Sequence, residues 1–240
     1  MTVSFGQSDP GLRRSNNEDA FIIISEADLL AVADGMGGAA AGEVASRIFI
    51  ESASALSGGA KCQSEQEALV RVQDIFRSAN EKIINHARQN PQCRGMGCTA
   101  EVIVFTSQGY VLGHVGDSRT YLLRAGQLKR LTHDHSVVQE QIDQGLITPE
   151  DARKHPLKSV ILRAVGVNEQ LALDLIRDKT VPGDLFLLCS DGLTDMIDDS
   201  FIKDILSRPL TLSQKGTQLI EAAKSAGGYD NVTVVLGEVK

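Results

Sequence analysis

Six carboxylates recur along the 240-residue chain in short polar motifs: Glu18 and Asp19 in Arg14-Ser-Asn-Asn-Glu-Asp19, Asp34 in Asp34-Gly-Met-Gly-Gly38, Asp117 in Gly116-Asp-Ser-Arg119, Asp191 in Ser190-Asp-Gly192, and Asp230 before Asn231. Apolar runs at 29–33, 110–115 and 185–189 read as strands that end at Asp34, Asp117 and Asp191, and the run 21–24 lies beside the first. Strand ends gathered at one edge of a sheet would bring these acids into one pocket. Like charges a few ångströms apart raise one another's pKa, so such a set stays ionised only beside cations. Hard divalent ions with oxygen ligands meet that need, and their chemistry is hydrolytic. Each Asp-Gly or Asp-Asn dipeptide alone is an ordinary turn former; the order and spacing of the set distinguish it.

The elements that must position these acids follow from periodicity. The runs 21–24 and 29–33 form a first pair of strands. Helices are predicted over 42–56 and 64–88, the second with Leu69, Val72, Phe76, Ala79, Ile83 and Ala87 at helical spacing and a Ser64/Glu67 capping signature. Strands at 99–105, 110–115, 120–123 and 128–131 read as one antiparallel meander. The stretch 136–165 turns polar and helical and is predicted to be a flap. Strands resume at 171–176 and 185–189, a helix is predicted over 213–226 with Ser213 as its cap and Gly227-Gly228 as its stop, and a strand over 232–236 closes the chain. Strands interspersed with paired helices, without regular alternation, give an α+β class: two facing antiparallel sheets with helices outside, a four-layer α-β-β-α sandwich.

Composition narrows the partners. Hydrophobic residues make up 42% of the chain, enough for a substantial core, and residues 1–240 are read as one domain because any cut would also divide the carboxylates. Net charge is −7, with 24 basic and 31 acidic residues and no basic run, which argues against nucleic acid. Cys62, Cys93, Cys98 and Cys189 lack metal or redox spacing and read as reduced thiols of a cytoplasmic protein. No apolar run approaches a membrane span.

Eight ordered motifs resemble the metal-dependent protein serine/threonine phosphatases of the PPM, or type 2C, family in their compact bacterial form. They are Ser8-Asp-Pro-Gly11, Arg14-x-x-Asn-Glu-Asp19, Val32-Ala-Asp-Gly-Met-Gly-Gly38, Gly95-Met-Gly97, Gly116-Asp-Ser-Arg119, Leu131-Thr-x-Asp-His-Ser136, Leu188-Cys-Ser-Asp-Gly-Leu-Thr194 and Asp230-Asn-Val-Thr233. The resemblance implies hydrolysis of phosphoserine and phosphothreonine by a metal-activated water at a binuclear Mn2+ or Mg2+ centre with a third, weaker ion. It implies that Asp34 bridges the two core ions, that Asp191 and Asp230 complete the first, that Glu18 and the Gly35 carbonyl complete the second, and that Asp117 with Asp191 holds the third. Asp19 then resembles the acid that holds water beside the ions, and Arg14 the phosphate-binding arginine. Phosphorylated targets of a serine/threonine kinase are the implied partners, met by a monomer in the cytoplasm. Many relatives carry a histidine at the position of Ala39; without it, His135 at the root of the flap is weighed as proton donor, while His114, His133 and His155 read as structural or solvent-facing. The alternative is a catalytically weak phosphoprotein-binding scaffold or sensor on the same fold.

Overall fold

In the computed structural model, which describes residues 2–37 and 41–240, ten strands form two five-stranded antiparallel sheets. In chain order the elements are β1 (Thr2–Asp9), β2 (Asp19–Ile24), β3 (Leu29–Met36), α1 (Ala41–Leu56), α2 (Glu65–Gln89), β4 (Gly97–Phe105), β5 (Gly109–Val115), β6 (Arg119–Arg124), β7 (Gln127–Arg130), α3 (Val137–Asp143), α4 (Pro149–Ala152), β8 (Asp174–Lys179), β9 (Leu185–Cys189), α5 (Asp191–Thr194), α6 (Asp199–Ser207), α7 (Leu212–Ser225) and β10 (Val232–Val239). One sheet runs β1-β10-β9-β6-β7 and the other β2-β3-β4-β5-β8.

Alternation along the strands builds the layers. Leu29, Ala31 and Ala33 of β3 face α1 and α2, in one core with Phe49, Val72 and Phe76. Leu30 and Val32 face the opposite sheet, where Phe186 of β9 meets Phe105 and Tyr110 edge-on at 5.1 and 5.0 Å. The outer face of the other sheet packs Tyr121, Leu187 and Val234 against α5, α6 and α7. The result is the expected four-layer sandwich, with both inner faces apolar over most of their area.

Several local readings change. The tract 99–131 is not one meander: β4 and β5 lie in one sheet and β6 and β7 in the other, because the chain crosses between sheets at Gly116-Asp117-Ser118. Gly116 permits this with φ of +113° and with its Cα pressed so closely on Thr99 that a Cβ would lie 2.5 Å away. β8 begins at Asp174, three residues later than the apolar run at 171 suggests, because Leu171 and Leu173 pack against the helix-side core before pairing starts. Thr211, not Ser213, caps α7, in a reciprocal capping box with Gln214. Ser64 does accept from Glu67 N–H as expected. All four cysteines are free and buried. The predicted flap contains α3 and α4 and is tied down by Arg153 donating to the Thr194 carbonyl at 2.8 Å and by Lys158 against Asp195 at 2.5 Å. Among the described residues no helix is long and apolar enough to cross a membrane.

Candidate metal centre

Antiparallel pairing brings one end of β2, β3, β4 and β5 and one end of β6, β9 and β10 to the same edge of the sandwich. Asp19, the first residue of β2, lies opposite Asp34 in register, and Asp34 lies opposite Thr99 of β4. Asp117 stands in the crossover ahead of β6, Asp191 opens α5 directly after β9, and Asp230 precedes β10. The six acids predicted from sequence are therefore delivered to one edge, three from each sheet.

Polar contacts stitch the two sheets together there. Ser190 Oγ donates to Asp19 Oδ2 at 2.7 Å and in turn accepts from Thr233 N–H at 3.0 Å. Thr99 and Ser118 hydroxyls meet at 2.7 Å in full burial. Asn231 accepts from Glu18 N–H at 2.8 Å and donates to the carbonyls of Asn16 and Pro10 at 2.8 and 3.1 Å, so one side chain holds three segments. Glycine sets the closest approach: Gly35 N–H donates to the Glu18 carbonyl at 3.0 Å, and a Cβ on Gly42 would lie 2.6 Å from Glu18 Oε2 and 2.7 Å from the Gly35 carbonyl oxygen. Glu18 and that carbonyl thus converge over a residue with no side chain.

The electrostatics are those of a crowded anionic site. Burial raises the Asp34 carboxyl well above its usual range, and the charges of Asp19, Asp191, Asp117 and Asp230 push it further. Asp191 is raised well above its usual range by burial, then by Asp117, Asp195, Asp230 and Asp19. Burial pushes Asp19 up to about 6 and Asp117 up to about 7. Glu18 is raised as well, chiefly by burial. Arg14, on the exposed rim, binds Asp230 at 2.7 Å. A cavity of about 570 Å³ opens beside Asp117 and Asp191 under the flap, with Arg130, Asp134, Arg153 and Lys158 in its walls.

The donor set fits divalent cations. Among the described residues no three acidic, histidine or cysteine side chains are clenched around a single point. The acids are nevertheless gathered with oxygen donors only, and Asp19, Asp34, Asp117 and Asp191 among them are desolvated. Asp19 Oδ1 is buried without a hydrogen-bond partner, which calls for a donor such as ordered water. An all-oxygen carboxylate and carbonyl set suits Mn2+ or Mg2+.

Of the histidines, His114 is structural and His133 solvent-facing, as expected. His135 is buried, accepts from Gly116 N–H at Nδ1 (3.1 Å), and has Nε2 at 3.2 Å from Asp174 and 3.1 Å from Arg163. Both nitrogens are engaged, burial and the His114 charge bring the imidazole down to about 4, and its contact with Gly116 supports the crossover that carries Asp117. His114 lies between the sheets, pairing with Glu101 at Nδ1 and donating to the His133 carbonyl from Nε2 at 2.8 Å. Burial opposes its charge, but Glu101 prevails and raises it to about 9. The His114 and His135 rings lie tilted at 34° to each other with centres 4.6 Å apart. His133 is half exposed and pairs with Asp143. Ala39 lies outside the described residues. Asn231, Ser190 and the Glu101–His114 pair are the supports that sequence reasoning missed as site residues, since only cross-sheet register reveals their partners.

Comparison with known proteins agrees with this geometry. The protein phosphatase 2C family profile matches residues 13–227. The serine/threonine protein phosphatase PstP of Mycobacterium tuberculosis is 42% identical over 233 residues, covering 97% of this chain but 44% of that protein, so the chain spans less than half of this relative. The serine/threonine phosphatase stp of Listeria innocua is 37% identical over 236 residues, covering 97% of this chain and 94% of its own. The crystal structure of the PstP catalytic domain in complex with two manganese ions superposes with a TM-score of 0.90 at 39% identity, covering 100% of this chain and 99% of that one.

Proposed function

The chain belongs to the protein phosphatase 2C family, and from that premise we propose that it hydrolyses phosphoserine and phosphothreonine monoesters in proteins, using Mn2+ or Mg2+. The observation that carries this reading is the set of desolvated carboxylates Asp34, Asp19, Asp117 and Asp191 with raised proton affinity at one sheet edge, beside an arginine on the rim. Asp34 would be shared by two core ions, one completed by Asp191 and Asp230 and the other by Glu18 and the Gly35 carbonyl; Asp117 and Asp191 would hold a third. When bound, such ions neutralise phosphoryl oxygens and lower the pKa of a coordinated water toward neutrality.

The chain's own residues do the rest. Arg14 trades Asp230 for the phosphoryl oxygens and orients the ester with its planar fork. Asp19, held by Ser190 and placed opposite Asp34, keeps one oxygen free to accept a proton from attacking water. The cavity beside Asp117 and Asp191 leaves room for the leaving serine or threonine.

The finer reading is a single phosphatase domain over 1–240, acting as a cytoplasmic monomer on targets of a serine/threonine kinase. The test is release of inorganic phosphate from a phosphothreonine peptide with Mn2+, abolished by chelator. Metal-dependent peptide binding without phosphate release would favour the scaffold alternative, which the alanine at position 39 motivates.

A further inference from the structure

Two loops meet on the rim beside Arg14 and Asp230. Leu12 N–H donates to the Gly228 carbonyl at 2.8 Å, Asn231 Nδ2 to the Pro10 carbonyl at 3.1 Å, and Arg14 to Asp230 at 2.7 Å. This lacing fixes the loops yet leaves Leu12 61% and Tyr229 59% exposed; of the large apolar side chains among the described residues, only Leu146 is more open.

Both side chains are placed by the backbone beneath them. A Cβ on Gly228 would lie 2.9 Å from Leu12 Cγ, and one on Gly227 would lie 2.7 Å from Tyr229 Cε2, so each lies over a glycine that leaves it room. The Arg13 guanidinium stands 5.8 Å from the centre of the Tyr229 ring and braces it. A single exposed apolar residue is ordinary. Two held on laced loops, one two residues from Arg14 and the other adjoining Asp230, form a surface continuous with the site.

We infer that Leu12 and Tyr229 form a platform for the substrate segment flanking the phosphorylated residue, and that it selects an apolar side chain one or two positions away. An extended chain advances about 3.3 Å per residue, so a phosphoresidue engaged by Arg14 lays its immediate neighbours over this surface. The ring and the leucine offer broad apolar contact at little conformational cost. This selectivity rests on the phosphatase reading of the site.

The test uses phosphothreonine peptides identical except for leucine or serine at the two positions on each side, with p-nitrophenyl phosphate as a substrate without flanks. Wild type is expected to favour the leucine peptide about five- to tenfold in kcat/KM, below the range of an enclosed pocket, with the difference in KM. In the Leu12→Ser, Tyr229→Ser double variant the ratio falls to within about twofold of unity. Failure of wild type to hydrolyse p-nitrophenyl phosphate with Mn2+ would remove the phosphatase reading. Fluorescence anisotropy of labelled peptides on the Mn2+-loaded chain still decides the platform in that event: tighter binding of the leucine peptide, lost in the double variant, supports it. Equal rates and affinities for the two peptides in wild type, or a preference that survives the double variant, overturns it.

Discussion

Replacing Asp117 with asparagine should stabilise the metal-free chain at pH 8 and change it little at pH 4.5. Asp117 lines the cavity wall, and burial with the charges of Asp134 and Asp195 raises its carboxyl from the ordinary 3.8 to about 7. Each tenfold of proton affinity corresponds to about 1.4 kcal/mol, so ionising Asp117 costs on the order of 4 kcal/mol more in the folded chain than in the unfolded one; its opening onto the cavity trims this toward about 2 kcal/mol. Between pH 4 and 7 the folded chain keeps this proton and the unfolded chain does not, so wild-type stability from this group falls as pH rises through that window. His135, brought from the ordinary 6.5 down to about 4 by burial and the His114 charge, titrates in the opposite sense over most of the window, but it is common to both proteins and cancels in their difference. Urea unfolding of wild type and Asp117→Asn in chelator, at pH 4.5 and 8, measures that difference. The variant should gain about 2–4 kcal/mol on wild type between the two pH values, and Mn2+ at pH 8 should stabilise wild type more than the variant. A difference that is the same at both pH values would refute charge crowding at this edge.

Arg14→Ala should lower kcat/KM on phosphothreonine peptides about 10- to 100-fold, the worth of a charge-assisted clamp of about 1.5–3 kcal/mol, without weakening Mn2+ binding, since it frees Asp230; calorimetry showing lost Mn2+ affinity would contradict that role. His135→Asn keeps an acceptor at the Nδ1 position for Gly116 N–H and should preserve the Mn2+ dependence of turnover within about threefold, whereas His135→Gln loses that acceptor and should weaken it by about 10-fold or more. The Gly116 amide resonance should move in the glutamine variant and not in the asparagine one, and the same shift in both would deny the contact.

The parts of the fold legible in the sequence are those where pattern and pairing coincide. The apolar runs of β3, β5 and β9 deliver Asp34, Asp117 and Asp191 because a fully buried strand must end where polar residues and glycine begin. β1 escaped notice because Thr2–Asp9 mixes small polar residues with a few apolar ones and gains its place from pairing with β10 over its whole length. α6, capped by Asp198, is too short for periodicity to declare. The split of β4–β7 between two sheets was hidden for a related reason: Gly116-Asp117-Ser118 resembles a hairpin turn locally, and only the packing of both sheets makes it a crossover. The same holds for Asn231, Ser190 and His135, whose partners lie between 19 and 221 residues away, farther along the chain than any local pattern reaches.

Asp34 lies opposite Asp19 and within reach of the charges of Asp19, Asp117, Asp191 and Asp230, and the proposed hydrolysis depends on it more than on any other residue. Mn2+ titration calorimetry on wild type and Asp34→Asn, paired with turnover of a phosphothreonine peptide at saturating Mn2+, tests that dependence. Wild type should bind at least two ions and turn over, and the variant should stay folded, lose tight binding of the core ions and lose turnover by at least about 10³-fold, equivalent to some 4 kcal/mol of barrier. Full turnover in folded Asp34→Asn would contradict the assignment of this edge as the metal centre.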